Sequence, residues 1–368
     1  MKNRWIVLVL TILFLWVVIS RFTELEQLKA TLAQGQWGWI FAAILSQMIF
    51  YVVFTASYQS AFYTVDISTR TRDLIPVTLG SLFINVVVPA GGAGGAALFT
   101  DDLAKRGKPA TRAASGVLLQ LIADFSAFTL VLIPGLIYLF IQHDLQIYEI
   151  IAAIILLLMT IGLSSVLMLG VWKPEWLKQL FAWAQFSAGW VYGRFNRTLS
   201  LADDWAQKNA EEMNQASAAV ASHPLRLMRT VGVALLAHLI DIASLYILFK
   251  AFNQPITLGV LVAGYAVGIL FWIVSITPQG IGVVEGVMTL AFTSLGIPTA
   301  VAATVVLAFR GLTFWIPMLL GFFAVQRMHT TSPTRITLTE NLGRTLRRNF
   351  GGADGRDQHN FRGDAIAL

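Results

Sequence analysis

Six stretches of this chain are apolar for long enough to act as membrane spans: Trp5 to Ile19, Trp37 to Ser57, Ala113 to Ile141, Ile147 to Val171, Thr230 to Phe249 and Thr299 to Val325. A hydrocarbon core of ~30 Å takes about 20 residues of α-helix, and no water there can satisfy a free backbone N–H or C=O. Such stretches therefore enter the bilayer as helices. The first is short, and Lys2 and Arg4 would suit the flank of a signal peptide. No small-x-small cleavage site follows it, so an uncleaved anchor is expected. With 56% hydrophobic and 12% charged residues, the chain carries about half the charge usual in soluble domains. It contains no cysteine, which excludes disulfides, thiol catalysis and thiolate metal sites.

Two further apolar stretches are each broken in the middle. Leu74 to Thr100 is cut by NVVVPAGGAGG (Asn85 to Gly95), and Thr257 to Leu295 by VSITPQGIGVV (Val274 to Val284). The two are related by a constant offset of 189. It pairs Pro89 with Pro278, Gly91 with Gly280, Thr100 with Thr289, Gly107 with Gly296 and Pro109 with Pro298. Ala113, Ala114, Val117 and Leu118 meet Ala302, Ala303, Val306 and Leu307, giving nine identities from 89 to 118. About two or three would arise by chance in a chain so rich in apolar residues. The expected repeats run from about 36 to 141 and from about 225 to 328, with 172–229 as a cytoplasmic or interfacial connector.

Charge sets the orientation. With the amino terminus inside and each broken segment entering and leaving on one side, segments 1–4, 58–74, 100–112, 172–229 and 326–368 lie inside. They hold 22 of the 26 Lys and Arg, the asymmetry expected of cytoplasmic loops. The net charge of +6 thus reports orientation and not nucleic-acid binding. Basic residues flank the first broken segment on both sides, so it reads as a re-entrant hairpin from the cytoplasm. The second has Lys250 before it and no basic residue between Gly296 and Val301, so it reads as entering from outside. The expected fold is all-α and polytopic: about six transmembrane helices plus two Pro/Gly-broken re-entrant hairpins in an inverted-topology repeat. Discontinuous helices of this kind meet near the midplane in many secondary transporters. The membrane part is expected over 1–328, with a disordered cytoplasmic tail over 329–368. Within the connector, Trp176, Trp183 and Trp190 recur every seven residues, which suits a helix in the headgroup layer, whether as a simple anchor or a lipid-gathering surface.

Charged residues inside apolar spans cost about 2.5–3.5 kcal/mol each on insertion scales and are functional candidates by default. Here they are Asp124, Asp241, Glu285 and Arg310. Glu285 and Arg310 sit on elements joined by a short turn and are placed to pair. That pair can hold the second hairpin to the last span, or open so that Arg310 meets a lipid phosphate. His238 stands three residues before Asp241, on one helix face, as a structural hydrogen bond or a proton relay. One His and one Asp make no metal site, and no cofactor motif is present. Gly92, Gly94 and Ala97 fit G-x-G-x-x-A, but a dinucleotide loop needs a βαβ context and a later acidic residue that this stretch lacks. The glycines instead allow close backbone approach, and amides freed at half-helix ends can face an anionic headgroup.

TPQGIGVVEG, then GIP and AFRGLTFWIPMLLG, resembles the lysylphosphatidylglycerol synthase transmembrane-region family, also called flippase-like. NVVVPAGGAGG followed by a basic loop and LLQLIADF resembles that family's other signature. The resemblance implies substrate-binding or transport roles for Asn85, Pro89, Gly91, Gly92, Gly94, Gly95 and Asp124 in the first half. In the second half it implies them for Pro278, Gly280, Gly282, Glu285 and Arg310. Two positions depart from the pattern: Ala96 and Ala97 stand where many relatives are acidic, and Gln120 stands where many are basic. The resemblance implies movement of a polar-headgroup lipid, of aminoacylated phosphatidylglycerol or lipid-linked sugar type, across the cytoplasmic membrane. Its alternative is a non-transporting accessory of an envelope glycosyltransferase or lipid-modifying enzyme. Neither requires a cofactor. The aminoacyltransferase domain of full-length synthases has no counterpart in 329–368, so synthase activity is not expected.

Overall fold

In the computed structural model, residues 22–87, 93–194, 204–275 and 277–331 are described. The Trp5 to Ile19 stretch, Pro89, Gly91 and Gly92 of the first break, and the tail beyond 331 lie outside them. Contacts divide the chain into a unit of Met1–Arg327 and one of Met328–Leu368; of the second, only the helical residues Met328–Thr331 are described.

The described residues contain helices and no strands. In chain order they are α1 (Phe22–Gln34), α2 (Trp37–Thr64), α3 (Thr71–Val87), α4 (Ala93–Lys105) and α5 (Ala110–Ile141). Then come α6 (Ile147–Trp172), α7 (Pro174–Arg194), α8 (Trp205–Ser222) and α9 (Pro224–Ala251). Last are α10 (Leu258–Val274), α11 (Val283–Ser294), α12 (Thr299–Arg310) and α13 (Ile316–Thr331). Residues Gly311–Trp315 form one π-helical turn joining α12 to α13. Five helices are long and apolar enough to cross a membrane: Trp37–Thr64, Ala110–Ile141, Ile147–Trp172, Pro224–Ala251 and Thr299–Met328. They match five of the six expected stretches, extended at their polar ends.

The helix ends follow local chemistry. Pro174 and Pro224 open α7 and α9, where the missing N–H costs no hydrogen bond. At the start of α6, Glu149 reaches back to accept from the Gln146 amide at 3.0 Å. Four helices in each half follow the 189-residue offset. Adding 189 to Thr71–Val87 gives 260–276, over α10, and adding it to Ala93–Lys105 gives 282–294, over α11. The same step takes α2 onto α9 and α5 onto the joined α12 and α13.

The equivalent helices α2 and α9 pack against each other along their length. The Gln36 amide donates to the Ala251 carbonyl at 2.9 Å, the Ser244 hydroxyl to Ser46 Oγ at 2.9 Å, and the Ser60 and Thr230 hydroxyls lie 2.9 Å apart. Rising numbers on α2 meet falling numbers on α9, so the two are antiparallel. Small polar groups between apolar helices give this contact a fixed register.

Each break joins two helices that fold back on each other. In the second, Gly264 and Gly268 of α10 face Phe292 and Met288 of α11; a Cβ at Gly264 would lie 2.3 Å from Phe292 Cε1. Glycine at these two positions lets the arms approach. In the first, the Gly95 amide donates to Asn85 Oδ1 at 2.8 Å, tying α4 to α3. The first helix pair also packs on the second half of the repeat: α3 touches the Pro278–Gly280 turn, and Phe83 lies edge-on to Phe322 at 5.7 Å.

The core joins α2, α5, α9, α10, α11 and α12 through residues such as Phe128, Leu245, Tyr265, Phe292 and Phe309. One side of α6 is the reverse: Ile151, Ile154, Leu158 and Ile161 are exposed, as suits a face turned to lipid. The α8 helix, within the 172–229 connector, docks on the ends of α5 and α6. Asn214 donates to the Gly170 carbonyl at 2.6 Å, and Arg112 to Gln215 Oε1 at 2.5 Å. On α7, Trp176 and Trp183 are exposed; the side chain of Trp190 lies outside the described residues.

Candidate functional site

The second break supplies the backbone geometry of the site. After α10 the chain makes a short turn, Pro278–Gly280, in which Gln279 has φ 55°, Gly280 φ 67° and Gly282 φ 81°. Side chains with a Cβ rarely adopt this left-handed region, so the glycines are required there. Gln279 is held in it by the Trp272 indole, which donates to Gln279 Oε1 at 2.9 Å. The turn leaves the Gln279 carbonyl pointing at α12.

Arg310, at the end of α12, is only 6% exposed. Its Nε donates to Glu285 Oε1 at 2.7 Å, and its Nη2 to the Gln279 carbonyl at 2.9 Å. Glu285 uses its other oxygen, Oε2, to accept from the Gly282 amide at 2.7 Å. One carboxylate thus caps α11 and neutralises a buried guanidinium. The expected pairing of Glu285 with Arg310 is present. The Gly282 amide is taken by Glu285, and the Gly95 amide, in the glycine run where the sequence suggested free donors, by Asn85. Beyond Arg310 lies the π-helical turn, whose Leu312 carbonyl accepts from the Tyr51 hydroxyl at 2.6 Å. Such turns leave backbone groups off the regular ladder, and Tyr51 satisfies one of them.

Arg310 faces a partly open cavity of about 110 Å³ lined by α2, α3, α5, α9, α10, α11 and α12. Its polar wall comprises Asp124, His238, Asp241, Tyr265, Gln279 and Arg310; much of the rest is aromatic, including Phe50, Phe54, Trp272 and Phe309. The structure therefore brings Asp124, His238, Asp241, Gln279 and Arg310 of distant segments around one space, with Glu285 behind Arg310. Of the first broken segment, α3 contributes Leu82, while Asn85 and Gly95 bind each other. Gly94 is half-buried.

His238 and Asp241, expected as neighbours on one helix face, are linked through a third residue. His238 Nδ1 lies 2.8 Å from the Tyr265 hydroxyl, which donates to Asp241 Oδ2 at 3.2 Å. On its other side His238 Nε2 lies 3.6 Å from Asp124 Oδ1. Tyr265 was not singled out in the sequence, though a polar ring within LGVLVAGYAVGILFWIV is the one signal that marks it. Gln120 is buried and reaches Ser57 Oγ at 3.4 Å, so an uncharged partner occupies that position. Among the described residues no group of three or more His, Cys, Asp or Glu is placed to hold a metal ion.

The sequence model for a family described as "Lysylphosphatidylglycerol synthase TM region" matches residues 4–321. The chain belongs to that family. The match covers every described element through the first six residues of α13, including both breaks and all residues of the cavity wall. Members similar to this one include a UPF0104 membrane protein of Methanocaldococcus jannaschii, 24% identical over 331 residues, covering 87% of this chain and 93% of the relative. Another, from Pyrococcus horikoshii, is 23% identical over 320 residues, covering 84% and 91%. The similarity thus runs through nearly the whole membrane region of this family member.

Proposed function

We propose that the protein is a lipid transporter of the cytoplasmic membrane. It moves a lipid with a polar headgroup, of aminoacylated phosphatidylglycerol or lipid-linked sugar type, between leaflets. In this reading both termini are cytoplasmic, and α3–α4 and α10–α11 are re-entrant hairpins of opposite entry. The observation that carries it is Arg310: a guanidinium buried at a helix break, beside a cavity, held by two acceptors that a phosphate can replace. A planar five-donor fork binds carboxylate and phosphate in the same bidentate way. While the site is empty Glu285 and the Gln279 carbonyl satisfy Arg310; an arriving phosphate takes over donors from them.

Length supports the hairpin reading. With 12 residues, α11 is about 18 Å long and cannot cross a ~30 Å core. The antiparallel packing of α2 on its offset partner α9 is what an inverted repeat requires. In this reading the hairpin arms part to admit the headgroup while the acyl tails remain in lipid. No step of this cycle calls for bond making in the substrate, and the chain is read as a transporter and not an enzyme.

The test is leaflet exchange in proteoliposomes, using fluorescent anionic, aminoacylated and sugar-linked lipids. Movement of at least one is expected. Arg310→Lys, which keeps the charge and loses the fork, should slow it about tenfold or more, as loss of a charge-assisted hydrogen bond implies. Failure of folded protein to move any of them refutes the reading and favours an accessory role.

A further inference from the structure

The lipid site leaves four side chains of the cavity wall unused: three are joined by hydrogen bonds, and the fourth, Asp124, lies 3.6 Å from His238 Nε2. Asp241 and His238 lie on α9, Tyr265 on α10 and Asp124 on α5. Asp241 is 4% exposed and His238 8%. Asp241 Oδ1 and His238 Nε2 have no hydrogen-bond partner, although burial makes an unpaired polar atom costly. Both residues border the cavity.

Counting hydrogens shows what the chain can do. Tyr265 has one hydroxyl hydrogen and two neighbours, His238 Nδ1 at 2.8 Å and Asp241 Oδ2 at 3.2 Å. It can donate to only one of them, so the other must donate to its oxygen. In one arrangement Asp241 is protonated and donates to Tyr265, Tyr265 donates to Nδ1, and the imidazole hydrogen sits on Nε2 facing Asp124. In the other, His238 Nδ1–H donates to Tyr265, Tyr265 donates to an ionised Asp241, and Nε2 is bare beside a protonated Asp124. The heavy atoms are the same in both.

We propose that Asp241, Tyr265, His238 and Asp124 form a proton-transfer chain that carries one proton between α9 and α5, coupling lipid movement at Arg310 to a proton gradient. Three bonds break: Asp241 O–H, Tyr265 O–H and His238 Nε2–H. Three form: Tyr265 O–H, His238 Nδ1–H and Asp124 O–H. One negative charge moves from Asp124 to Asp241, and no other group is consumed. The 3.6 Å between Nε2 and Asp124 exceeds hydrogen-bond reach by about 0.5 Å, so the last hop awaits a small approach of α5 to α9 or a bridging water.

The chain faces the groups of the lipid site. Tyr265 lies edge-on to Phe309, with centroids 6.4 Å apart, and Phe309 precedes Arg310. From α2, Tyr51 lines the same cavity and Tyr58 is within electrostatic reach of Asp124; Tyr51 also holds the turn after Arg310 through Leu312. From α12, Arg310 shares the cavity, and from α11, Glu285 stands behind it. A headgroup that displaces Glu285 changes both the field at Asp241 and the seat of Tyr265.

The coupling rests on the lipid-transport reading; the proton chain does not, and the test separates them. Infrared difference spectra of the detergent-purified full chain, taken between acid and alkaline pH, should show a protonated-carboxyl band. Asp241→Asn should remove part of it and Tyr265→Phe should shift its midpoint; the second variant keeps the ring should the first fail to fold. In proteoliposomes with fluorescent phosphatidylglycerol as probe, one proton per lipid predicts about a tenfold bias in leaflet distribution per pH unit of gradient. Tyr265→Phe should abolish that bias. A titrating band without movement of the probe upholds the chain and counts against the lipid reading. A band unmoved by both variants, or a probe that does exchange between leaflets but distributes without regard to the gradient, overturns the proposal.

Discussion

Replacing Glu285 with Gln tests the junction on which the site is built. Two donors depend on this side chain, the Arg310 Nε–H at 2.7 Å and the Gly282 N–H at 2.7 Å. A Gln offers one oxygen and one NH2, so one donor loses its acceptor and meets another donor, while Arg310 keeps only the Gln279 carbonyl. Removing one partner of a buried ion pair costs about 3–5 kcal/mol. The Glu285 side chain is 28% exposed and that of Arg310 8%, so solvent screens one end and the expected cost is about 2–3 kcal/mol. Thermal unfolding in detergent should then fall by about 5 °C. Adding Arg310→Met removes the stranded charge, and the double variant should recover part of the loss, with a coupling energy of about 1–3 kcal/mol. The control is Glu175→Gln, which breaks the exposed pair to Lys178 at 3.0 Å and should cost at most about 0.5 kcal/mol. If Glu285→Gln is no more harmful than the control, or the two site substitutions are additive, the ion pair is not what holds α11 to α12.

Three further outcomes follow from the same structure. Gly264→Ala should destabilise by about 1–3 kcal/mol through overpacking against Phe292, whereas Gly232→Ala, with no heavy atom within 4 Å of the added Cβ, should be neutral or stabilising by up to about 1 kcal/mol; thermal unfolding compares them. Tyr51→Phe should cost about 1–3 kcal/mol by leaving the Leu312 carbonyl unsatisfied, with faster amide hydrogen exchange around residues 311–316 as its local signature. Because the chain has no cysteine, single substitutions report orientation directly. In intact cells a membrane-impermeant maleimide should label Gln142→Cys and spare Arg70→Cys; the reverse pattern would reject the orientation drawn from the charges.

Much of this protein is legible in its sequence because a membrane leaves few choices. Apolar length placed five described helices, since a spanning segment must satisfy its own backbone. The 189-residue offset relates α3 to α10 and α4 to α11, because both copies carry a Pro/Gly break between the two helices. Glu285 and Arg310 could be paired because they sit on consecutive elements and a buried charge needs a partner.

Other features arise only when distant segments meet. His238 and Asp241 share a helix face, but the atom that joins them belongs to Tyr265 of α10, and the carboxylate facing His238 belongs to Asp124 of α5. The amides freed in the glycine run suggested an anion site, yet those of Gly95 and Gly282 are each capped by a nearby side chain, Asn85 or Glu285, whose reach depends on the fold-back. Sequence fixes which residues must be helical and which charges are too costly to stand alone. Tertiary packing decides which partner each one finds, because a hydrogen bond needs atoms within about 3 Å and periodicity carries no information on distances between helices.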